Sequence, residues 1–97
     1  MHYIVQFQDA TGQEGLRQQH MAAHLAFLQE NASQIQAAGP LFDPGGTGQG
    51  GLWLVMADTA QTVTELVRAD PFFDTGLRKS FAILEWRQVF RDGARVR

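Results

Sequence analysis

Strand-like and helix-like segments follow one another along this chain in an order that few folds can accommodate. The segment HYIVQF (2–7) is apolar and rich in β-branched and aromatic residues, which predicts a first strand. From Leu16 to about Ala37 the chain has no proline or glycine and is rich in alanine, leucine and glutamine, which predicts a long helix. The glycine- and proline-rich stretch AGPLFDPGGTGQGG (38–51) then predicts a strand edge that runs into a loop.

The next part of the chain carries a second strand–helix unit. The continuous apolar run LWLVMA (52–57) predicts a strand, and a helix follows at once. Asp58 is a favourable N-cap residue, and Gln61 stands three residues later, at the spacing of a capping box. The helix is predicted to end near Ala69. Its inward side chains are predicted to be Val63, Leu66 and Val67.

The segment FAILEWRQVF (81–90) predicts the last strand, and the polar tail from about residue 91 is predicted to fray. The order of elements is therefore βαββαβ, the ferredoxin-like arrangement of an α+β fold. Two helices would cover one face of a four-stranded antiparallel sheet. Because the strands carry apolar residues on both faces, a second copy of the chain is the simplest cover for the other face, which predicts a homodimer through the sheet.

Length, composition and charge exclude several classes of protein. The 97 residues suffice for a single domain (1–97), and 44% hydrophobic with 19% charged residues is typical of a globular chain. The net charge is −2 and no basic stripe occurs, so neither nucleic acid nor an anionic membrane is expected as a partner. There is no cysteine, and no apolar run approaches the roughly 20 residues of a membrane helix. The first residues lack the features of a leader peptide, so a cytoplasmic location is expected.

His24 lies on the inward face predicted for the long helix. At roughly 100° per residue, it falls within an arc of apolar side chains, with His20 one turn earlier and Arg17 another turn back. A titratable ring on a core-facing position is costly unless it is hydrogen-bonded. The residues alone therefore favour a core histidine bonded to a backbone carbonyl, with a functional histidine as the alternative. The other members of the arc are Met21, Leu25, Phe27, Leu28, Ala32 and Ile35.

The spacing of His20 and His24 could also hold a metal ion between them. A catalytic zinc site needs a third ligand, and the common helical motif places a glutamate beside the first histidine. Here the residues between the two histidines are Met-Ala-Ala, so no metal is predicted. His2 opens the first strand and is interpreted as a surface residue.

Asp70 stands before Pro71 in the stretch ADPFFDTGL (69–77). Aspartate is favoured just before a helix and proline at its first position, so Asp70 is predicted to cap a short helix that Gly76 ends. Capping uses one carboxylate oxygen. The other oxygen would remain free to accept a hydrogen bond from a ring N–H.

Four segments, HLAFL (24–28), AAGPLFD (37–43), ADPFFDTGL (69–77) and EWRQVF (85–90), together resemble the YCII-related family, also called YciI-like proteins. The resemblance spans most of the chain. It implies a ferredoxin-like protomer of the dimeric α/β-barrel superfamily and a pocket with a histidine–aspartate pair, which maps onto His24 and Asp70. Relatives with known activity include a dehydrochlorinase that acts on a chlorinated hydroxyhydroquinone. Many relatives carry an arginine where this chain has Met21, and Arg17 or His20 could supply the positive or donor group instead.

The resemblance and the residues together predict how the site is built. Asp70 would cap the short helix with one oxygen and orient His24 with the other, which fixes the ring tautomer and favours the imidazolium. Phe72 and Phe73 would wall the pocket and lower its dielectric. The full set of pocket-lining candidates is Arg17, His20, Pro40, Phe72 and Phe73.

Three functions remain open from the sequence. The first is an enzyme in which His24 and Asp70 catalyse elimination, isomerisation or dehydrohalogenation of a small cyclic or phenolic metabolite without a cofactor. The second is a module that binds or senses a small molecule in the same pocket without turnover. The third is a structural dimer module with a vestigial pocket, because a fold alone does not determine function.

Overall fold

The computed structural model describes all 97 residues and confirms the expected ferredoxin-like α+β fold. The elements are β1 (His2–Asp9), α1 (Glu14–Gln19), α2 (Met21–Glu30), β2 (Ile35–Phe42), β3 (Gly48–Met56), α3 (Ala60–Ala69), β4 (Arg78–Glu85), β5 (Phe90–Arg91) and β6 (Ala94–Arg95). The first four strands form one antiparallel sheet in the order β2-β3-β1-β4. A short 3₁₀ helix, Phe73–Thr75, lies between α3 and β4.

The hydrophobic core lies between the sheet and the helices. Val5 of β1 pairs with Trp53 of β3 on one side and with Ile83 of β4 on the other. Because side chains alternate along a strand, this register directs every second residue of β1 and β3 into one core. The buried members of that core are Tyr3, Val5, Phe7, Ile35, Trp53, Val55, Ala57, Val63, Leu66 and Val67.

The long helix predicted from Leu16 to about Ala37 is divided and shorter in the structure. α1 ends at Gln19, and His20 interrupts the helix with φ −106° and ψ 9° before α2 begins. α2 ends at Glu30, where the Asn31 side chain donates to the carbonyl of Phe27 at 2.9 Å. The prediction was wrong because helix propensity is a weak local preference that pairing of β2 with β3 overrides.

The second helix begins one residue later than predicted. Thr59 is the N-cap, and its hydroxyl accepts a hydrogen bond from the Thr62 backbone N–H at 3.2 Å. Asp58 and Thr59 are both favourable N-cap residues, so composition alone does not distinguish them. The inward side chains Val63, Leu66 and Val67 are buried as predicted.

The last strand and the tail also differ from the prediction. β4 begins at Arg78 and ends at Glu85. In the tail, β5 and β6 pair as a small hairpin in which Phe90 is opposite Arg95. Asp92 and Gly93 form its turn with φ of 55° and 77°. An Asp-Gly pair with positive φ at both positions favours a two-residue hairpin turn.

The face of the sheet opposite the helices carries several apolar side chains that are not buried. Ile4, Leu52 and Leu54 lie half-buried on it, and Leu84 is 51% exposed. Helices of the length and apolarity needed to cross a membrane do not occur in the structure.

Candidate functional site

His24 projects from the middle of α2 into the layer between helix and sheet and is 6% exposed. Its Nδ1 lies 2.8 Å from Oδ1 of Asp70, which is within hydrogen-bonding distance. The ring stacks on Phe72, with centroids 4.0 Å apart and an interplanar angle of 14°. The ring is therefore held at one edge by a carboxylate and on one face by an aromatic side chain.

Asp70 ends α3 and is 2% exposed. Its φ of −64° and ψ of 131° are extended, as the following Pro71 requires. Oδ1 accepts from the Phe72 backbone N–H at 3.1 Å as well as from His24. Gly76, with φ 84°, ends the short helix in the left-handed conformation as predicted.

Two details of the Asp70 prediction need correction. The short helix is a 3₁₀ helix that begins at Phe73, with Phe72 at its N-cap, so Asp70 stabilises the turn before the helix. One oxygen, Oδ1, accepts from both the backbone and His24, whereas the sequence suggested one oxygen for each. The other oxygen, Oδ2, binds Arg78, because that side chain reaches the carboxylate from the start of β4.

Arg78 is the site residue that the sequence analysis missed. Its Nη1 lies 2.7 Å from Oδ2 of Asp70, and its side chain is only 6% exposed. Its Cζ lies 3.8 Å from the ring centroid of Phe7 and 5.4 Å from that of Trp53. The available signal was a charged residue at the first position of β4, immediately after the buried Leu77, but no local rule pairs it with Asp70.

The charges of this cluster shift its titration. Burial alone would raise the pKa of Asp70, but the hydrogen bond from His24, the charge of Arg78 and the Phe72 N–H outweigh it, so the pKa is lowered from 3.8. Burial lowers the pKa of Arg78, and the Asp70 carboxylate offsets part of that effect. A guanidinium remains protonated in proteins at neutral pH. Asp70 and Arg78 are therefore an ionised, buried pair.

A pocket of about 100 Å³ adjoins His24; we call it the His24 pocket. Its volume is of the order of the engineered cavity of about 150 Å³ that binds benzene. Both N-terminal helices and all four main strands contribute to its wall. The lining residues are Phe7, Arg17, Met21, His24, Leu25, Leu28, Ala38, Gly39, Pro40, Gly51, Leu52, Trp53 and Arg78.

Two of the predicted lining residues, Arg17 and Pro40, lie in the wall of the His24 pocket. Nη2 of Arg17 also forms an ion pair with Oδ2 of Asp9 at 2.7 Å. Met21, at the position where many relatives carry an arginine, also lines the pocket. The guanidinium groups in the pocket wall therefore come from Arg17 and Arg78.

The other three predicted lining residues lie outside the wall. His20 is at the junction of α1 and α2 and is not among the residues that line the pocket. Phe72 is fully buried and supports the His24 ring from behind. Phe73 is 37% exposed and packs against Phe81, with ring centroids 6.5 Å apart.

These features first define a class: a ferredoxin-like α+β protein with a buried histidine–aspartate–arginine cluster beside a small pocket. The sequence profile of the YCII-related domain matches residues 1–87, so the chain belongs to the YCII-related family, as its sequence suggested. The C-terminal hairpin lies beyond the matched residues. No curated protein sequence matches the chain.

Among solved structures, the chain is similar to 5-chloro-2-hydroxyhydroquinone dehydrochlorinase (TftG) from Burkholderia phenoliruptrix AC1100 in complex with 2,5-dihydroxybenzoquinone. The TM-score is 0.80 at 27% identity, over 90% of this chain and 94% of that chain. It is also similar to At3g17210 from Arabidopsis thaliana, with TM-score 0.49 and 12% identity over 90% and 93% of the two chains. The hypothetical protein PHS023 from Pyrococcus horikoshii has TM-score 0.49 and 11% identity, over 86% and 84%.

Proposed function

We propose that this protein is a cofactor-independent enzyme in which His24, oriented by Asp70, transfers a proton to or from a small cyclic or phenolic metabolite. The observation that carries the proposal is the 2.8 Å hydrogen bond between His24 and the buried carboxylate of Asp70 at the edge of the His24 pocket. Membership of the YCII-related family and the similarity to a dehydrochlorinase support a small-molecule-processing enzyme.

The hydrogen bond assigns different tasks to the two ring nitrogens. Nδ1 faces an ionised acceptor, so it carries a hydrogen and donates it to Asp70. Nε2 has no hydrogen bond to the protein and is the nitrogen that takes up or releases the proton. The stacked Phe72 ring restricts rotation of the imidazole, so Nε2 keeps one direction. Asp70 thus acts as a positioning residue.

Elimination, isomerisation and dehydrohalogenation all fit this arrangement because each requires proton transfer at a carbon or hydroxyl group of the ligand. In a dehydrohalogenation of a halogenated hydroquinone, the imidazolium would first give its Nε2 proton to the halogen-bearing ring carbon while one ring hydroxyl loses its proton and becomes a carbonyl. Nε2 would then take the proton of a second hydroxyl, whose O–H electron pair forms the second carbonyl, and the ring electrons shift so that halide leaves with the electrons of its bond to carbon. The imidazolium that results lies against the ionised Asp70 carboxylate, which stabilises it. The proton of the first hydroxyl passes to solvent.

The test uses 5-chloro-2-hydroxyhydroquinone, the compound in the name of the similar dehydrochlorinase. Chloride release is measured for the wild type, His24→Gln and His20→Gln. His24→Gln should lower the rate by about 10²–10⁴-fold, the usual contribution of a general acid or base. His20→Gln is the matched control, because His20 lies outside the His24 pocket and its loss should leave the rate unchanged.

A non-catalytic binding or sensing module is the alternative, and the same samples distinguish it. Bound 2,5-dihydroxybenzoquinone should exchange its carbon-bound hydrogens with D₂O faster in the wild type than in His24→Gln. A compound that raises the thermal midpoint but undergoes neither chloride release nor faster exchange would favour the binding module.

The enzyme is proposed to work as a homodimer that covers the open face of the sheet. The support is the group of apolar side chains on that face, of which Ile4, Leu52 and Leu54 are half-buried and Leu84 is 51% exposed. Light scattering after size exclusion should report about twice 10.8 kDa. A monomer at micromolar concentration would contradict the dimer and leave the His24 proposal to be judged by its own test.

A further inference from the structure

The guanidinium of Arg78 has more donors than the protein uses. It offers five N–H groups, and Nη1 is bound to Asp70 at 2.7 Å. Nε is buried and has no hydrogen-bond partner. The side chain is 94% buried, since its exposed fraction is 6%. A buried donor on a charged group without a partner is costly, and native structures rarely leave one unsatisfied.

The position of this group is fixed from several sides. Arg78 lies over the ring of Phe7, with Cζ 3.8 Å from the centroid, and beside Phe72 at 5.3 Å. Asp70 holds one end of the guanidinium plane. Because the plane is held by stacking and by an ion pair, its free donors have a defined direction before any ligand binds. Arg78 also lines the His24 pocket, so a ligand there contacts the same side chain.

The charges around the pocket favour an anion when His24 is protonated. The positive Arg78 and Arg17 are each paired with one carboxylate, from Asp70 and Asp9 respectively. These four charges cancel, and protonation of His24 adds one positive charge. An anionic oxygen in the pocket would restore neutrality, whereas a cationic ligand would leave the imidazolium charge uncompensated.

We propose that Arg78 binds an anionic oxygen of the ligand, so that the His24 pocket selects planar ring compounds that carry a phenolate, enolate or carboxylate. This inference rests on the proposed function for the identity of the site, and it adds the residue that determines ligand charge. Arg78 holds the oxygen while Nε2 of His24 faces the ring carbon. In a proton abstraction, the same guanidinium would stabilise the negative charge that develops on that oxygen.

The test compares ligands of equal shape and different charge. Benzoate and benzamide are titrated into the wild type, and 4-nitrophenolate and 4-nitroaniline form a second pair that distinguishes phenolate from carboxylate. Each anion should bind about 10- to 100-fold more tightly than its neutral counterpart, as one charge-assisted hydrogen bond provides. Preference in only one pair identifies the oxygen type; preference in neither overturns the proposal.

Two arginine variants locate the preference. Arg78→Lys keeps a positive charge opposite Asp70 but removes the planar guanidinium fork, so it should lose most of the preference. Arg17→Gln combined with Asp9→Asn is the matched control, because it removes both charges of a pair beside the same pocket and leaves the sum of charges unchanged. A preference that survives in Arg78→Lys and disappears in this double variant would assign the anion to Arg17 and contradict the proposal.

A measurement on the wild type keeps the proposal testable if Arg78→Lys does not fold. The ¹⁵N–¹H signals of the Arg78 Nη groups should shift when benzoate is added and stay fixed with benzamide; signals unmoved by bound benzoate would overturn the inference. These readouts are independent of turnover. Anion preference without chloride release or hydrogen exchange would retain the Arg78 assignment and reject the enzyme. Turnover by His24 without anion preference would retain the enzyme and reject the Arg78 assignment.

Discussion

Two arginine–aspartate pairs of the same length flank this site in different surroundings. Arg78 and Asp70 are 2.7 Å apart with side chains 6% and 0% exposed, and Arg17 and Asp9 are 2.7 Å apart with side chains 21% and 28% exposed. The strength of a Coulomb interaction depends on the surrounding dielectric as much as on distance. We call Arg78–Asp70 the inner pair and Arg17–Asp9 the outer pair. The inner pair is removed from water, so loss of either partner would leave an unpaired buried charge at a high free-energy cost. In the outer pair, water can take the place of a lost partner.

The two carboxylates also differ in how many groups depend on them. Asp70 binds Arg78, the His24 ring and the Phe72 backbone N–H, so it connects α2, α3 and β4. Asp9 binds Arg17 through Oδ2, and its Oδ1 has no partner. Loss of Asp70 therefore disturbs three elements at once, whereas loss of Asp9 disturbs one contact beside the pocket.

The largest effect is expected for Asp70→Asn. The amide can still accept from the Phe72 N–H, but it cannot neutralise the buried Arg78. Leaving one charge of a buried pair without its partner costs about 3–5 kcal/mol. Urea unfolding at neutral pH should show this loss of unfolding free energy. A loss below about 1 kcal/mol would mean that water reaches Arg78 and that the inner pair resembles the outer one.

Removal of both charges should cost less than removal of one. Arg78→Met in the Asp70→Asn background replaces the uncompensated guanidinium with an apolar chain that can still pack against Phe7. The double variant should recover on the order of 1–3 kcal/mol relative to Asp70→Asn, the range of coupling between contacting residues. Additive losses in the unfolding experiment would instead show that the two side chains act separately.

The sequence identified two residues of the buried cluster, His24 and Asp70, and missed the third, Arg78, for physical reasons. Helical periodicity placed His24 on the apolar arc, and Pro71 and Gly76 placed Asp70 at a helix boundary. Their pairing was implied by the resemblance to the YCII-related family, because the residues alone favoured a core histidine. Arg78 was not accessible, because its role depends on the register between β1 and β4, which places it over Phe7. The start of β2 at Ile35 was missed because its strand pairing is long-range, whereas the helical preference of the residues before it is local.

Acid should weaken the inner pair in a predictable pH range. The pKa of Asp70 is lowered from 3.8 in the folded protein, so its contribution to stability is fully present above that pH. The contribution is lost as the pH falls through the lower, folded-state pKa. The difference in unfolding free energy between the wild type and Asp70→Asn should therefore shrink from pH 7 to about pH 3. A difference that stays constant would show that folding does not change the pKa of Asp70.

The smallest effect is expected for Asp9→Asn, which tests the other side of the comparison. Partly exposed ion pairs contribute about 0–1 kcal/mol, and the neutral amide can still accept a hydrogen bond from Arg17. The Oδ1 atom of Asp9 already lacks a partner, so loss of its charge also removes a desolvation cost. Its effect should shrink further in about 1 M salt, where charges are screened within roughly 3 Å, while that of Asp70→Asn should persist. Equal, salt-insensitive losses in both variants would mean that the 2.7 Å contact, and not its burial, sets the strength of these pairs.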